Sequence, residues 1–243
     1  GVSEARTALA TGILRLNGTK PQLEMVKVIF RQEPSSSGGR HFGSRIVFSK
    51  GGKLFLTLGD RGNLHLVQKL SNHFGKVIRI NRDGSIPKDN PFVGRRDALP
   101  EIWSFGHRNP QGAAKRLSDD AYFTISHGAA GGDEINRSQP GKNFGWPEVS
   151  YGTHYSGLTF PAVQRPDVVS PLLYWDPSIA PSSAAFYDGD LFSAWKGNLF
   201  VGALRDRMIS RVKIDNGRAY ELERLLEDKF GRIRDVRNGP DGA

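Results

Sequence analysis

The sequence predicts an all-β protein assembled from repeated antiparallel units, and three observations support this fold class. Short apolar runs rich in β-branched and aromatic residues recur along the chain, separated by Gly, Asp and Asn. Clusters of turn-forming residues stand between several of these runs, and one five-residue pattern recurs. Scarcely any stretch has the pattern of a helix, so strands and turns account for most of the chain.

The apolar runs predict strands from the N-terminal third to the end of the chain. They fall at 25–30, 45–48, 53–58, 76–80, 101–105, 121–126, 171–175, 184–187, 198–204, 208–214, 220–226 and 233–237. The stretch 128–155 is rich in Gly, Asn and polar residues and shows no strand pattern, which predicts a long functional loop.

The turn sequences predict that neighbouring strands are antiparallel. Ser-Lys-Gly-Gly at 49–52, Arg-Asp-Gly at 82–84 and Asp-Asn-Gly at 215–217 contain residues that tolerate the positive φ of tight hairpins. Gly-Lys-Leu-Phe-Leu at 52–56 is echoed by Gly-Asn-Leu-Phe-Val at 197–201 and, more loosely, by Asp-Ala-Tyr-Phe-Thr at 120–124. Repeated four-stranded blades explain this recurrence.

The length of 243 residues and the scattered 29 glycines and 14 prolines predict one domain spanning 1–243. Because the chain ends in a turn at 240–243, we expect the blade pattern to be incomplete at that end. There is no cysteine, which excludes disulfides and thiolate metal sites. No apolar stretch is long enough to span a membrane.

The net charge of +9 raises the question of an anionic partner. Basic residues are interleaved with acidic ones between 204 and 237, and no stripe of Lys and Arg alternates with exposed aromatic residues. We therefore predict no nucleic-acid binding. A solvated basic surface and an anionic small molecule are the remaining interpretations of the charge.

Several phrases, in one order along the chain, together resemble a known family. They are His-Phe-Gly-Ser-Arg at 41–45, Leu-Gly-Asp at 58–60, Asp-Asn-Pro-Phe at 89–92, Glu-Ile-Trp-Ser-Phe-Gly-His-Arg-Asn-Pro-Gln-Gly at 101–112, Gly-Gly-Asp-Glu-Ile-Asn at 131–136, Gly-Lys-Asn-Phe-Gly-Trp-Pro at 141–147 and Arg-Ile-Arg-Asp-Val-Arg at 232–237. The chain is similar to the soluble aldose sugar dehydrogenases that use pyrroloquinoline quinone, the soluble glucose dehydrogenase type.

This resemblance implies a six-bladed β-propeller, which we expect to be incomplete at both ends in this chain. It implies pyrroloquinoline quinone near the central axis, calcium bridging the quinone to protein oxygens, and hydride transfer from C1 of an aldose to give a lactone. An external electron acceptor, a periplasmic or secreted location and a monomer or homodimer are the corresponding expectations.

The resemblance identifies His41 as the general base and Asp60 as the residue that orients it. A histidine that titrates near neutrality can accept the proton of a sugar hydroxyl, and a carboxylate beside it stabilises the charged ring. Without the resemblance, the sequence favours an ordinary loop residue at His41 and an ordinary turn residue at Asp60. The other five histidines receive no role.

The resemblance also implies a cofactor site built from cations and polar groups. Three carboxylates on the quinone call for arginines, whose planar guanidinium binds a carboxylate in a bidentate way. Arg108 would in addition stabilise negative charge as hydride arrives, which makes it catalytic as well. The implied set is Arg108, Asn109, Ser178, Arg205, Arg232 and Arg234, each of which taken alone is also a plausible surface residue.

Alternation in 232–234 predicts a strand edge with both guanidinium groups on one face and Ile233 opposite. The implied calcium ligands are the main-chain oxygens of Gly128 and Ala129 at the cofactor. A second calcium would use Glu134 and the carbonyl of Phe144. Spacing alone favours acidic loop residues at both Asp133 and Glu134, and the resemblance reverses that preference for Glu134.

Two departures from the family pattern keep other functions open. Relatives read Glu-His-Gly-Pro where this chain has Ser-His-Gly-Ala at 126–129, which removes an acidic group and a rigid proline. The family also has a glutamine in a blade that would precede Gly1. A non-catalytic propeller that binds a glycan or a protein is the alternative function. A calcium-dependent lactonase is disfavoured by the four arginines.

Overall fold

The computed structural model describes residues 4–18, 20–160 and 164–243. In these residues the chain forms fourteen β-strands and two short 3₁₀ helices, Leu64–Leu66 and Ser193–Trp195. The structure is therefore all-β, as the sequence predicts. Within the same ranges, no helix has the length and apolar character needed to cross a bilayer.

The strands form one hairpin and three four-stranded sheets, which we call blades 1, 2 and 3. The hairpin contains β1 (Ala8–Asn17) and β2 (Lys20–Arg31). Blade 1 contains β3 (Ile46–Phe48), β4 (Leu54–Thr57), β5 (Lys76–Ile80) and β6 (Ile102–Phe105). Blade 2 contains β7 (Asn109–Lys115), β8 (Tyr122–His127), β9 (Asp133–Arg137) and β10 (Leu173–Trp175). Blade 3 contains β11 (Pro181–Phe186), β12 (Leu199–Ala203), β13 (Ile209–Asp215) and β14 (Arg218–Leu225).

Each blade is an antiparallel meander in which strands pair in chain order. The three copies of the recurring sequence pattern fall on β4, β8 and β12, the second strand of each blade. A second strand has a neighbour on both sides and a packed sheet on both faces, so it needs apolar residues in succession. The repeat and its explanation by four-stranded blades are confirmed.

Apolar contacts join each sheet to the next. Phe55 of blade 1 stacks on Tyr122 of blade 2 with ring centroids 4.6 Å apart. Phe123 of blade 2 meets Phe186 of blade 3 edge to face at 5.2 Å. The hairpin packs Leu9 and Phe30 against blade 1. This sequential face-to-face packing is the arrangement of a β-propeller.

The sequence does not predict β1, β7 or β9, and the prediction of a strand at 233–237 is wrong. β9 lies inside the stretch expected to be a loop, because its residues are mostly polar and its pairing on both sides comes from β8 and β10. β7 is rich in small residues because blade 3 lies against it: a Cβ on Gly112 would be 3.3 Å from the backbone of Ser183. Strand propensity is low in both segments, and tertiary pairing overrides it.

Candidate active site

The end of β4, the start of β7 and the end of β8 meet at one edge of the blades. The backbone N–H of Asp60, after β4, donates to the carbonyl of Arg108 at 2.8 Å. Asn109 of β7 pairs with His127 of β8. Three phrases that are far apart in the sequence therefore converge on one place.

His41 and Asp60 are in direct contact at this edge. Nδ1 of His41 lies 2.6 Å from Oδ1 of Asp60. Because a carboxylate accepts hydrogen bonds, Nδ1 carries the proton and donates it, which leaves the lone pair of the ring on Nε2. An imidazole held in this tautomer can accept a proton at Nε2.

The backbone at His41 adopts an unusual conformation that neighbouring residues of the site hold in place. His41 has a φ of 54° and Gly43 a φ of 64°. A Cβ on Gly59 would lie 2.0 Å from the carbonyl oxygen of His41, so only glycine permits this approach. Oδ1 of Asn109 accepts from the N–H of Gly43 at 3.2 Å. Positive φ at a non-glycine residue is held in place by such surrounding contacts.

Asp60 has no exposed surface and receives three hydrogen bonds. Besides His41, the N–H of Gly62 donates to Oδ1 at 2.8 Å and Nε1 of Trp146 donates to Oδ2 at 2.8 Å. Burial by itself would raise the pKa of Asp60, but the hydrogen bonds and the charge of His41 outweigh it and hold that pKa below its ordinary value. Asp60 is thus kept as a carboxylate.

Arg108 shares a cavity of about 90 Å³ with His41 and Asp60. Its guanidinium carbon lies 5.4 Å from the ring of Trp146 and 5.7 Å from the ring of Tyr155. Nη2 donates to Oη of Tyr155 at 3.3 Å. In the part of the chain that the structure describes, Arg108 forms no salt bridge, so its charge is available to an anionic ligand.

A larger neighbouring cavity, of about 410 Å³, shares Tyr155 with the first. His127, Gly128, Ser178 and Arg205 line it. Nη1 of Arg205 donates to the carbonyl of Ser178 at 2.5 Å. The structure therefore places Ser178 and Arg205 in a cavity that adjoins that of Arg108, which itself donates from Nη1 to the carbonyl of His127 at 3.4 Å.

Asp133 organises this second cavity although it lies below its surface. Its buried carboxylate accepts from the N–H of Gly128 at 2.8 Å and from Oγ of Ser178 at 2.6 Å. The N–H groups of Ile179 and Ala180 also donate to it, at 2.8 and 2.9 Å. One carboxylate thus fixes the end of β8 relative to the loop before β11.

His127 carries a buried polar atom that lacks a partner. Its Nε2 makes no hydrogen bond with any residue of the described ranges. Burial lowers the pKa of His127, although the charge of Asp133 opposes this effect. A buried donor or acceptor without a partner costs about 1–3 kcal/mol, so a ligand in this cavity would relieve it.

Arg232 and Arg234 do not lie on a strand, so the predicted strand edge is wrong. Ile233 is held against blade 3, where its N–H donates to the carbonyl of Ala203 at 3.2 Å and its own carbonyl accepts from Oγ of Ser182 at 2.7 Å. Both arginines are exposed. Arg234 lines a third cavity, of about 180 Å³, with Gly43 and Ser44, which are near neighbours of His41.

Main-chain oxygens are the groups that could hold calcium here. Within the described ranges, no three His, Asp or Glu side chains gather around one point. None of the hydrogen bonds there ends on the carbonyl of Gly128 or Ala129, so both oxygens are free to act as ligands. Carbonyl oxygens are the donor type that calcium prefers, so these two residues have the chemistry that a calcium site requires.

The second implied calcium site would use Glu134 and the carbonyl of Phe144, each of which has a defined environment in the structure. Glu134 is on β9, where Nδ2 of Asn136 donates to it at 2.9 Å. Burial raises the pKa of Glu134, and the charge of Asp133 adds to this. Phe144 stacks on His107 at 4.7 Å.

Sequence reasoning gave no role to Trp146, Tyr155, His127, Asp133 or His154, and the structure places all five in or directly beneath these cavities. Trp146, His127 and Asp133 lie in or beside phrases that carry the resemblance, which was a usable signal. Tyr155 and His154 follow the phrase at 141–147 and have no distinctive pattern around them.

Comparison with known proteins identifies the family of the chain. A model of the glucose/sorbosone dehydrogenase family matches residues 2–243. An aldose sugar dehydrogenase of Escherichia coli (strain K12) is 41% identical over 242 residues, covering 98% of this chain and 65% of the relative. The chain thus spans a little under two thirds of the length of that relative.

Solved structures show the same fold. A crystal structure of a glucose dehydrogenase has a TM-score of 0.93 and 43% identity, covering 98% of this chain and 69% of the other. The pyrroloquinoline quinone-bound form of an aldose sugar dehydrogenase from Streptomyces coelicolor has a TM-score of 0.73 and 28% identity, covering 91% of this chain and 60% of the other.

Proposed function

The chain belongs to the glucose/sorbosone dehydrogenase family, and from this membership we propose that it oxidises aldose sugars at C1 to lactones, with calcium-bound pyrroloquinoline quinone as oxidant. The observation that carries the proposal is the cavity shared by His41, Asp60 and Arg108. It combines an oriented base with a cation that has no acidic partner in the described residues. Oxidation of an alcohol by hydride transfer needs both groups.

His41 would act as the general base. Its Nε2 would take the proton of the C1 hydroxyl as the C1 hydride leaves the sugar. Asp60, ionised and buried beside Nδ1, would stabilise the imidazolium that forms. Arg108 would stabilise negative charge on the acceptor side of the cavity.

The two cavities that share Tyr155 would together hold the cofactor. Arg108 supplies a cation to the first cavity and Arg205 to the second. Nε2 of His127 supplies a buried group in need of a partner. Asn109 would act mainly by holding the N–H of Gly43, and therefore the turn that carries His41. When bound there, the quinone supplies a two-electron acceptor.

Ser178, Arg232 and Arg234 would complete the cofactor site. Ser178 lines the larger cavity, and Arg234 lines the cavity beside Gly43 and Ser44. Arg232 is exposed two residues before it, on the same segment. Family membership and the placement of Arg234 support a role for these residues in binding the cofactor. For Arg232, family membership is the support.

Gly128 and Ala129 would hold calcium at the cofactor through their free carbonyls. A second calcium at Glu134 and Phe144 would fix β9 relative to the segment that contains Trp146. The substitution of the family Pro by Ala129 leaves these main-chain oxygens in place. A cation at Glu134 would also favour the ionised carboxylate, which its surroundings otherwise disfavour.

The remaining expectations are proposals on the same basis. We propose a six-bladed propeller, of which blades 1 to 3 are present here, a periplasmic or secreted location, and an external electron acceptor. The three meanders packed in chain order support the blade architecture, and membership of the family supports the rest.

The test is to titrate the purified chain with pyrroloquinoline quinone, with and without calcium, and to follow the cofactor spectrum before and after adding glucose and other aldoses. Calcium-dependent binding followed by sugar-driven bleaching is the expected result. Binding without bleaching by any aldose would contradict the enzymatic proposal. Absence of binding by a folded chain would favour the non-catalytic propeller.

A further inference from the structure

We propose that Trp146 is a positioning residue of the active site: its indole fixes the carboxylate of Asp60 and, through it, the imidazole of His41. The proposal deepens the function given above and rests on it for its catalytic part. The claim that Trp146 fixes Asp60 and His41 rests on the contacts of this chain and does not depend on the proposed function.

The two oxygens of Asp60 are divided between two rings. Oδ1 receives Nδ1–H of His41 at 2.6 Å, and Oδ2 receives Nε1–H of Trp146 at 2.8 Å. The indole nitrogen is a donor only, so the direction of this bond is unambiguous. A carboxylate held at both oxygens cannot rotate, and the plane of the hydrogen bond to His41 is thereby fixed.

Trp146 is itself held rigidly. Its N–H donates to the carbonyl of Gly106 at 3.0 Å, and its carbonyl accepts from Nε2 of Gln68 at 2.7 Å. Its ring packs at 5.1 Å from the ring of Phe160, and only 6% of the residue is exposed. A donor with so little freedom can impose its position on Asp60.

The same indole also lies close to Arg108, the cation of the proposed reaction. The guanidinium carbon of Arg108 lies 5.4 Å from the Trp146 ring, within the range of a cation–π contact. Trp146 therefore contacts both Asp60, the partner of the base, and the cation Arg108, and so links the positions of the two groups.

Removal of the indole N–H should impair turnover more than substrate binding. In Trp146→Phe, Oδ2 of Asp60 becomes a buried acceptor without its donor, while an aromatic ring remains against Phe160. We expect a fall in kcat of about tenfold with KM changed by less than about twofold, because the lost hydrogen bond orients the base rather than the sugar.

The chain offers a matched control. Trp175 is 5% exposed, and its Nε1 donates to Oε1 of Glu221 at 3.3 Å in the core between blades 2 and 3. Trp175→Phe removes the same kind of indole–carboxylate bond at similar burial, away from His41. It should reduce stability and leave kcat unchanged.

A measurement on the apoprotein tests the geometry without activity. The chain has four tryptophans, so its ¹H–¹⁵N spectrum contains four side-chain indole signals. We expect the Trp146 indole proton to resonate downfield, as a proton donated to a carboxylate does, and to move upfield in Asp60→Asn while the Trp175 signal stays in place.

An unchanged Trp146 indole signal in folded Asp60→Asn would overturn the proposal, whatever the activity of the chain. Equal losses of kcat in Trp146→Phe and Trp175→Phe would overturn it as well, because both would then act through stability. If the wild-type chain proves inactive with every aldose, the proposed function fails, and the indole signal alone decides whether Trp146 positions Asp60.

Discussion

Nδ1 of His41 and Oδ1 of Asp60 lie 2.6 Å apart although the residues are separated by 19 positions in the chain. Gly59 and Asn109 fix the backbone on the histidine side, and Gly62 and Trp146 fix the carboxylate on the other. A pair constrained from both sides has one tautomer and one orientation, which is the requirement for a general base.

Asp60→Asn should lower kcat by on the order of 10³-fold, because an amide no longer fixes the tautomer of His41 or stabilises its charged form. Turnover by the quinone-loaded chain is the measurement. Glu101→Gln is the control, since Glu101 accepts from Nε2 of His73 at 2.8 Å in a similar pair that lines none of the three cavities of the proposed site. A comparable loss in Glu101→Gln would contradict a specific role for Asp60.

The free energy of unfolding should depend on pH in the acidic range because of Asp60. Its pKa in the folded chain lies below the ordinary 3.8, so the folded state binds the proton more weakly than the unfolded chain does. The stabilisation is therefore complete above pH 3.8 and is lost as the pH falls through the lower, folded pKa. The free energy of unfolding of wild type should exceed that of Asp60→Asn by less at about pH 2 than at about pH 6. Urea unfolding of both chains between these pH values measures the difference in unfolding free energy. A difference that does not change with pH would contradict the prediction.

Gly59→Ala should disrupt the site through the backbone. The added Cβ would lie 2.0 Å from the carbonyl of His41, so the turn that carries His41 must move. We expect a destabilisation of about 1–3 kcal/mol and loss of most turnover. Gly51→Ala is the control, because a Cβ there meets nothing within 4 Å. Thermal unfolding and initial rates of the two variants should differ clearly, and similar behaviour would mean that the close approach has no consequence.

Arg108→Lys should weaken quinone binding and slow turnover although the charge is kept. A lysine cannot offer a planar guanidinium between Trp146 and Tyr155. The expected loss is about tenfold or more in cofactor affinity, measured by absorbance titration. Arg116→Lys alters a guanidinium 5.3 Å from the ring of Phe123 and should leave that affinity unchanged. Full affinity in Arg108→Lys would remove Arg108 from the cofactor site.

Calcium should stabilise the chain through Glu134. At about 100 times its Kd, a ligand bound only to the folded state adds about 2.7 kcal/mol per site. Calcium should therefore raise the Tm of the wild-type chain, and Glu134→Gln should reduce this rise. Glu148→Gln changes an exposed carboxylate that pairs with Arg165 and should retain it. An equal rise in both variants would place the calcium elsewhere.

The blade pattern was accessible from the sequence because it is carried by local chemistry. Short β-branched runs, Gly- and Asn-containing turns and a recurring pattern on the second strand of each blade are dictated by neighbours within the same sheet. The sequence does not predict β7 and β9, because their small or polar residues are selected by contacts between blades and by the site. The segment 233–237 does not form a strand. Its alternating pattern reflects the packing of Ile233 on Ala203, which needs no row of hydrogen bonds to a neighbouring strand.

The sequence by itself determined the all-β class, the repeat, the family and the residue types from which a site could be built, since each depends on patterns within short segments. Only the tertiary structure decided which of these residues meet. The contact of His41 with Asp60, the indole bond from Trp146 and the place of Tyr155 in the cavities of both Arg108 and Arg205 join segments from different strands and blades. Such contacts depend on how strand ends converge, and that convergence is a property of the packed sheets.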